Sequence, residues 1–124
     1  MGLTVMIADD DALARALIEA IVERDDELEL VGCAEDAARA IELADEHQPD
    51  IALLDWIMPG GGGEVAAREI LIRSPDTKIV ALTSPGLADE ADTLKAGARR
   101  TLPKGSAPDE LLRTIRAAAE TRTD

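Results

Sequence analysis

Five polar residues of this 124-residue chain could do chemistry together: Asp9, Asp10, Asp55, Thr83 and Lys104. Each stands at the end of a short strand-like run. Three carboxylates brought together repel, and keeping all of them ionised needs a cation. A set of oxygen ligands suits Mg2+, which keeps several waters and binds through one or two carboxylates plus a phosphate. Lys104 offers a point charge for that phosphate, and Thr83 a hydroxyl donor. Asp55 would then be a carboxylate nucleophile, able to form an aspartyl-phosphate. Taken singly, these signals are weak: an Asp-Asp pair commonly caps a helix, and a lone lysine is commonly solvated. Order along the chain and placement at strand ends carry the specificity.

The elements that must position these residues can be read in turn. Residues 51–54 are a continuous apolar run into Asp55, followed by Met58-Pro59 and four glycines, Gly60 to Gly63. Such a run reads as a strand covered on both faces. The glycines would let the backbone approach whatever Asp55 holds, and they make a mobile loop there. A first strand spans 3–8 and ends in Asp9-Asp10-Asp11, one of which can cap a helix over 12–23. In that helix Leu13, Leu17, Ile18, Ile21 and Val22 recur at helical spacing. A second strand covers 28–34, and Asp36 opens a helix to about 47 that Pro49 ends. A third helix covers about 63–73 and a fourth strand 79–82. A helix over about 88–96 stops at Gly97, and a fifth strand covers 100–103. Ser106 or Ala107 caps the last helix, with Pro108 at its start.

Five strands alternating with five helices mean an α/β fold, a parallel sheet with helices on both faces. The commonest strand order for this count is 2-1-3-4-5, and ligands bind such sheets outside the carboxyl ends of the strands. That edge is where all five candidate residues fall.

Composition narrows the function classes. Hydrophobic residues make up 46 %, and Trp56 is the only one of Phe, Tyr and Trp present, so the core must be aliphatic. A net charge of −13 without a basic run argues against nucleic-acid binding by this segment. A lone cysteine, Cys33, forms no internal disulfide, which fits a cytoplasmic protein. No stretch approaches the ~20 apolar residues of a membrane helix. His47, the single histidine, reads as a solvated helix-end residue, and Cys33 as a core residue.

The motifs Ile7-Ala8-Asp9-Asp10-Asp11, Leu53-Leu54-Asp55-Trp56-Ile57-Met58-Pro59-Gly60, Val80-Ala81-Leu82-Thr83-Ser84, Ala96-Gly97-Ala98 and Leu102-Pro103-Lys104 resemble those of the receiver domain of two-component response regulators. The resemblance covers residues 3–118, and the wording after Lys104 is most similar to receivers that carry a helix-turn-helix output domain. It implies a flavodoxin-like receiver domain over 1–119 with a polar tail over 120–124. It implies that Asp55 accepts a phosphoryl group from a sensor histidine kinase or phosphotransfer protein. Asp10, Asp55 and the main-chain carbonyl of Ile57 would bind Mg2+, Asp9 would help through water, and Thr83 and Lys104 would bind the phosphoryl oxygens. An output domain or effector, or a homodimer formed on phosphorylation, would be the downstream partner.

The chain departs from that pattern at Thr101, where receivers usually carry Tyr or Phe, and at Gly105, where a proline usually follows the lysine. Thr101 is too small to act as an aromatic switch, which leaves backbone movement at 83–87, around Pro85-Gly86, to transmit the signal. Two other readings compete with a phosphorylation switch that is not a conventional enzyme. A small Mg2+-dependent phosphatase would pair Asp55 with a second aspartate two residues on, where this chain has Ile57. A binding-only receiver would not need the complete set of five site residues.

Overall fold

The computed structural model describes residues 2–84, 86 and 90–120. Five parallel strands, β1 (Leu3–Ala8), β2 (Leu28–Ala34), β3 (Ile51–Asp55), β4 (Lys78–Thr83) and β5 (Arg100–Pro103), form one sheet in the order β2-β1-β3-β4-β5. The helices are α1 (Ala12–Glu23), α2 (Ala37–His47), α3 (Gly62–Arg73), α4 (Glu90–Lys95) and α5 (Pro108–Glu120). The expected topology is therefore the observed one. Some boundaries differ: β3 runs on to include Asp55, β4 extends by one residue at each end to Lys78 and Thr83, α4 ends at Lys95, and α5 includes Glu120, which the sequence placed in the tail. Residues 121–124, Pro85 and the expected helix start at 88–89 lie outside the described residues.

Alternation along each strand builds two aliphatic cores. Met6, Ala8, Ala52, Leu54, Ile79 and Ala81 face α2 and α3, where Ala37, Ala40, Ala44, Ala66 and Ala67 let the helices lie close to the sheet. Val5, Ile7, Ile51, Leu53, Val80 and Leu82 face the other way, against Val22 of α1 and Leu111 and Ile115 of α5. All of β3 is buried, as a strand covered on both faces must be.

Caps fix where the helices start. Asp11 accepts from the amides of Leu13 (3.0 Å) and Ala14 (3.2 Å), and Asp36 from that of Arg39 (2.9 Å). The triple aspartate is thereby divided: Asp11 serves the helix, and Asp9 and Asp10 are left for other work. At α5 the cap is Ala107, whose carbonyl accepts from the Leu111 amide, while the Ser106 hydroxyl donates to the Pro103 carbonyl.

Helix α1 buries only part of its apolar set. Leu13 and Leu17 are 71 % and 59 % exposed, although both belong to its apolar stripe. At about 100° per residue, each lies roughly 100–140° around the helix from Ile18, which packs inward with Val22. Leu17 instead lines an open apolar groove between α1 and α5, bordered by Lys104.

Two glycines of the run pack against Trp56. Gly63 packs beneath the Trp56 ring, where a Cβ would come within 2.5 Å of Cε3, and the Gly63 amide donates to the Trp56 carbonyl at 2.9 Å. Gly62, at φ 73°, would put a Cβ 2.7 Å from that same carbonyl. The close neighbours of the four glycines are Trp56, Ala37 and Val65, not Asp55. Gly62 and Gly63 seat the start of α3 on Trp56.

Candidate functional site

Strand β1 delivers Asp9 and Asp10 at its carboxyl end, and β3 delivers Asp55 one strand away. The three can bring one carboxylate oxygen each to within 4.8 Å of one another. Asp9 is fully buried and Asp55 is 3 % exposed, whereas Asp10 faces solvent. The cluster is thus a buried pair of acids with a third at its mouth.

Lys104 closes the site from β5. Its amide donates to the Thr83 carbonyl at 2.8 Å, which fixes the residue after the strand. Its Nζ lies 3.2 Å from Asp9 Oδ1, 3.1 Å from Asp9 Oδ2 and 3.3 Å from Asp55 Oδ2. Asp9 Oδ1 also accepts from the Asp11 amide (2.9 Å), and Asp55 Oδ1 from the Ile57 amide (3.1 Å). Asp9 Oδ2 touches Lys104 off the hydrogen-bonding direction and has no hydrogen-bond partner among the described residues. A buried carboxylate oxygen without a donor is costly. Three carboxylates facing one ammonium leave the site short of positive charge.

The titration of the site follows. Burial pushes the Asp55 carboxyl up to about 6; the Ile57 amide opposes this, the Asp9 charge adds to it, and Lys104 opposes it again. Burial pulls the Lys104 ammonium down, but Asp9 and Asp55 outweigh burial and hold it above the usual lysine range. Near neutral pH, therefore, Asp55 is an ionised carboxylate and Lys104 a cation.

The structure brings four of the expected residues into contact or close approach: Asp9, Asp10, Asp55 and Lys104. Thr83 ends β4, next to Leu82, the register partner of Asp55. Ile57 touches the site through its amide, and its side chain is 50 % exposed. Thr101 is half-buried on β5, opposite Ala81. Cys33 is half-buried, and burial and a hydrogen bond to Glu19 push its thiol up to about 12. His47 is at a helix end beside Glu46.

One residue near the site was not anticipated. The Arg15 guanidinium donates from Nη1 to the Asp9 main-chain carbonyl at 2.7 Å. The signal for it is its position: Arg15, Ile18 and Val22 share the inward face of α1, and a cation on such a face needs a partner.

Paired acids and a lysine at the carboxyl edge of a doubly wound sheet stand where open α/β sheets bind their ligands. The family model for the response regulator receiver domain matches residues 5–116, and the chain belongs to that family. It is 36 % identical over 116 residues to the transcriptional regulatory protein YxjL of Bacillus subtilis, covering 93 % of this chain and 53 % of that protein. It is 33 % identical over 124 residues to the oxygen regulatory protein NreC of Staphylococcus epidermidis, covering 96 % and 56 %. The chain thus spans about half the length of these relatives. Among solved structures, the response regulator domain of Thermotoga maritima CheB superposes with a TM-score of 0.90 at 27 % identity, covering 99 % of this chain and all of that one. Among the described residues, no helix is long and apolar enough to cross a membrane.

Proposed function

We propose that this receiver domain is a phosphorylation switch in which Asp55 accepts a phosphoryl group from a histidine of a sensor kinase or phosphotransfer protein. The observation that carries this reading is the buried Asp9–Asp55 pair, with one oxygen that has no hydrogen bond among the described residues and one lysine reaching both residues. Asp9, Asp10, Asp55 and the Ile57 carbonyl are the groups that would hold Mg2+, Asp9 through water. Bound Mg2+ supplies the positive charge that this site lacks and neutralises phosphoryl oxygens.

The chain's own residues do the rest. The ionised Asp55 oxygen attacks phosphorus, a P–O bond forms, the P–N bond to the donor histidine breaks, and that nitrogen keeps the electron pair. Lys104, already 3.3 Å from Asp55 Oδ2, moves its ammonium onto a phosphoryl oxygen, and the Thr83 hydroxyl donates to another. Exposed apolar side chains stand beside the site for a donor protein, Ile57 two residues from Asp55 and Leu17 in the groove that Lys104 borders. The new charge is read out through 83–87, and the readers are an output domain, of the DNA-binding kind that the relatives' names suggest, or a second copy of the chain. The setting is the cytoplasm. Catalysis is confined to the domain's own phosphorylation and dephosphorylation.

Incubation with acetyl phosphate, with and without Mg2+, followed by intact mass measurement, tests this. The wild type is expected to gain one phosphoryl group only with Mg2+, and Asp55→Asn none. An adduct that survives Asp55→Asn defeats the assignment. Steady turnover without adduct would mean a phosphatase, and neither adduct nor turnover a binding-only domain.

A further inference from the structure

We infer that Arg15 is a positioning residue for the acidic site: it holds the Asp9 main chain and thereby aims the Asp9 carboxylate. The inference rests on the functional reading above for its consequence, but not for its geometry. Asp9 lies one residue past the end of β1, where the sheet ladder no longer fixes the chain. Two bonds replace the ladder. The Asp9 amide donates to the Ala34 carbonyl of β2 at 3.0 Å, and the Asp9 carbonyl accepts from Arg15 at 2.7 Å. The second is charge-assisted and short, so it is the stronger of the two. It also closes the turn from Asp9 to Arg15 on itself, with Asp11 capping α1 in between.

Two cations therefore pin one buried aspartate. Lys104 holds its side chain, and Arg15 holds its backbone. Lys104 has to give up carboxylate contacts when a phosphoryl group arrives. Arg15 contacts no carboxylate of the site in this arrangement and can stay. It would keep Asp9 aimed, and Asp10 next to it, through the whole cycle. Groups that orient a ligand without touching the ion commonly set its affinity.

Three variants test this, Arg15→Ala, Arg15→Met and Arg15→Lys, with two readouts. The first is amide exchange of the metal-free protein at Asp11, whose N–H reports the Asp9 Oδ1 bond. The second is the Mg2+ Kd from Trp56 fluorescence. Loss of the Arg15 bond is expected to speed Asp11 exchange about ten-fold while β3 amides keep their protection. The Mg2+ Kd is expected to weaken about ten-fold in Arg15→Ala and Arg15→Met. Arg15→Lys is expected to recover most of both, because a single bond to one carbonyl does not need the guanidinium fork. Wild-type values in Arg15→Met overturn the inference, as does a loss that spreads to β1 and β3 amides alike, which would mark a merely structural role. Should Arg15→Ala fail to fold, Arg15→Met and Arg15→Lys decide. Should the wild type show no Mg2+ response, the functional reading falls, and the exchange measurement alone still decides for or against Arg15.

Discussion

At the amino end of the sheet Ser74 and Thr77 are each 2 % exposed, and at the carboxyl end Asp9 and Asp55 are 0 % and 3 % exposed. Burial is equally deep, but the treatment of the polar atoms is opposite. Thr77 Oγ1 donates to the Pro49 carbonyl at 2.6 Å, so its contact with Ser74 Oγ, also 2.6 Å, must take the Ser74 proton. Gln48 reaches the carbonyls of Ala44, Asp45 and Arg73, and Asp50 exchanges bonds with Thr4. There the buried polar atoms of Ser74 and Thr77 are neutral and hydrogen-bonded to each other and to the Pro49 carbonyl. The carboxyl end keeps like charges together and, among the described residues, leaves Asp9 Oδ2 without a hydrogen-bond donor. A fold that can satisfy buried polar groups at one end and does not at the other is holding a site ready for a ligand.

The largest test of this contrast removes Lys104. Lys104→Met leaves the Asp9 and Asp55 carboxylates facing each other with no cation between them. Without Mg2+, at pH 7.5, we expect a loss of about 3 kcal/mol, in the range for breaking a buried pair. Saturating Mg2+ should make the loss smaller, because the variant has lost the competing ammonium and binds the cation more tightly than the wild type does. Denaturant melts with EDTA and with Mg2+ measure both. Equal losses in the two conditions would mean that the carboxyl end is only another structural network.

The companion test is Thr77→Val at the opposite end. It keeps the shape but strands the Pro49 carbonyl and leaves Ser74 without its acceptor. The expected cost is about 1–2 kcal/mol, the same with EDTA or Mg2+. A Mg2+-dependent cost there would break the division of labour between the two ends.

Much of this division could be read before any coordinates. The aspartates, Lys104 and Thr83 were placed at one edge because apolar runs announce parallel strands and polar residues end them. The first two helices began where expected because Asp11 and Asp36 are local signals. What escaped was set by distant partners. Asp55 and Thr83 belong to their strands because Asp55 pairs with Leu82, and Thr83 with Pro103. Helical spacing groups Leu13 and Leu17 with Ile18, Ile21 and Val22, but it does not say which of them the sheet covers or where α5 leaves a groove. Arg15 reads as a solvated helical arginine in the sequence, and only the fold brings the Asp9 carbonyl to 2.7 Å from its guanidinium. The glycines look like a ligand loop until Trp56 is seen lying over Gly63.

The smallest expected effect is also the one that asks most directly whether Asp55 is held at a cost. In the metal-free protein its carboxyl is pushed up to about 6, by burial first and by Asp9 second, against a value near 4 in the unfolded chain. Between about pH 4 and 6 the folded state therefore holds a proton that the unfolded state has released. Stability must fall as pH rises through that window. Below it the group is neutral in both states and costs nothing; above it the penalty is complete. The shift bounds the penalty at about 3 kcal/mol, and Lys104 will have offset part of what Asp55→Asn can recover. We expect Asp55→Asn to stabilise the metal-free protein by about 1 kcal/mol at pH 7.5, or about 3–5 °C in Tm, with the gain gone near pH 4. In Mg2+ the order should reverse, because the wild type gains a ligand that the variant holds poorly. Thermal melts from pH 4 to 8, with EDTA and with Mg2+, read all of this. If Asp55→Asn melted below the wild type at pH 7.5 in EDTA, the aspartate would be as well satisfied as Thr77, and the carboxyl end would hold no unmet demand for a cation.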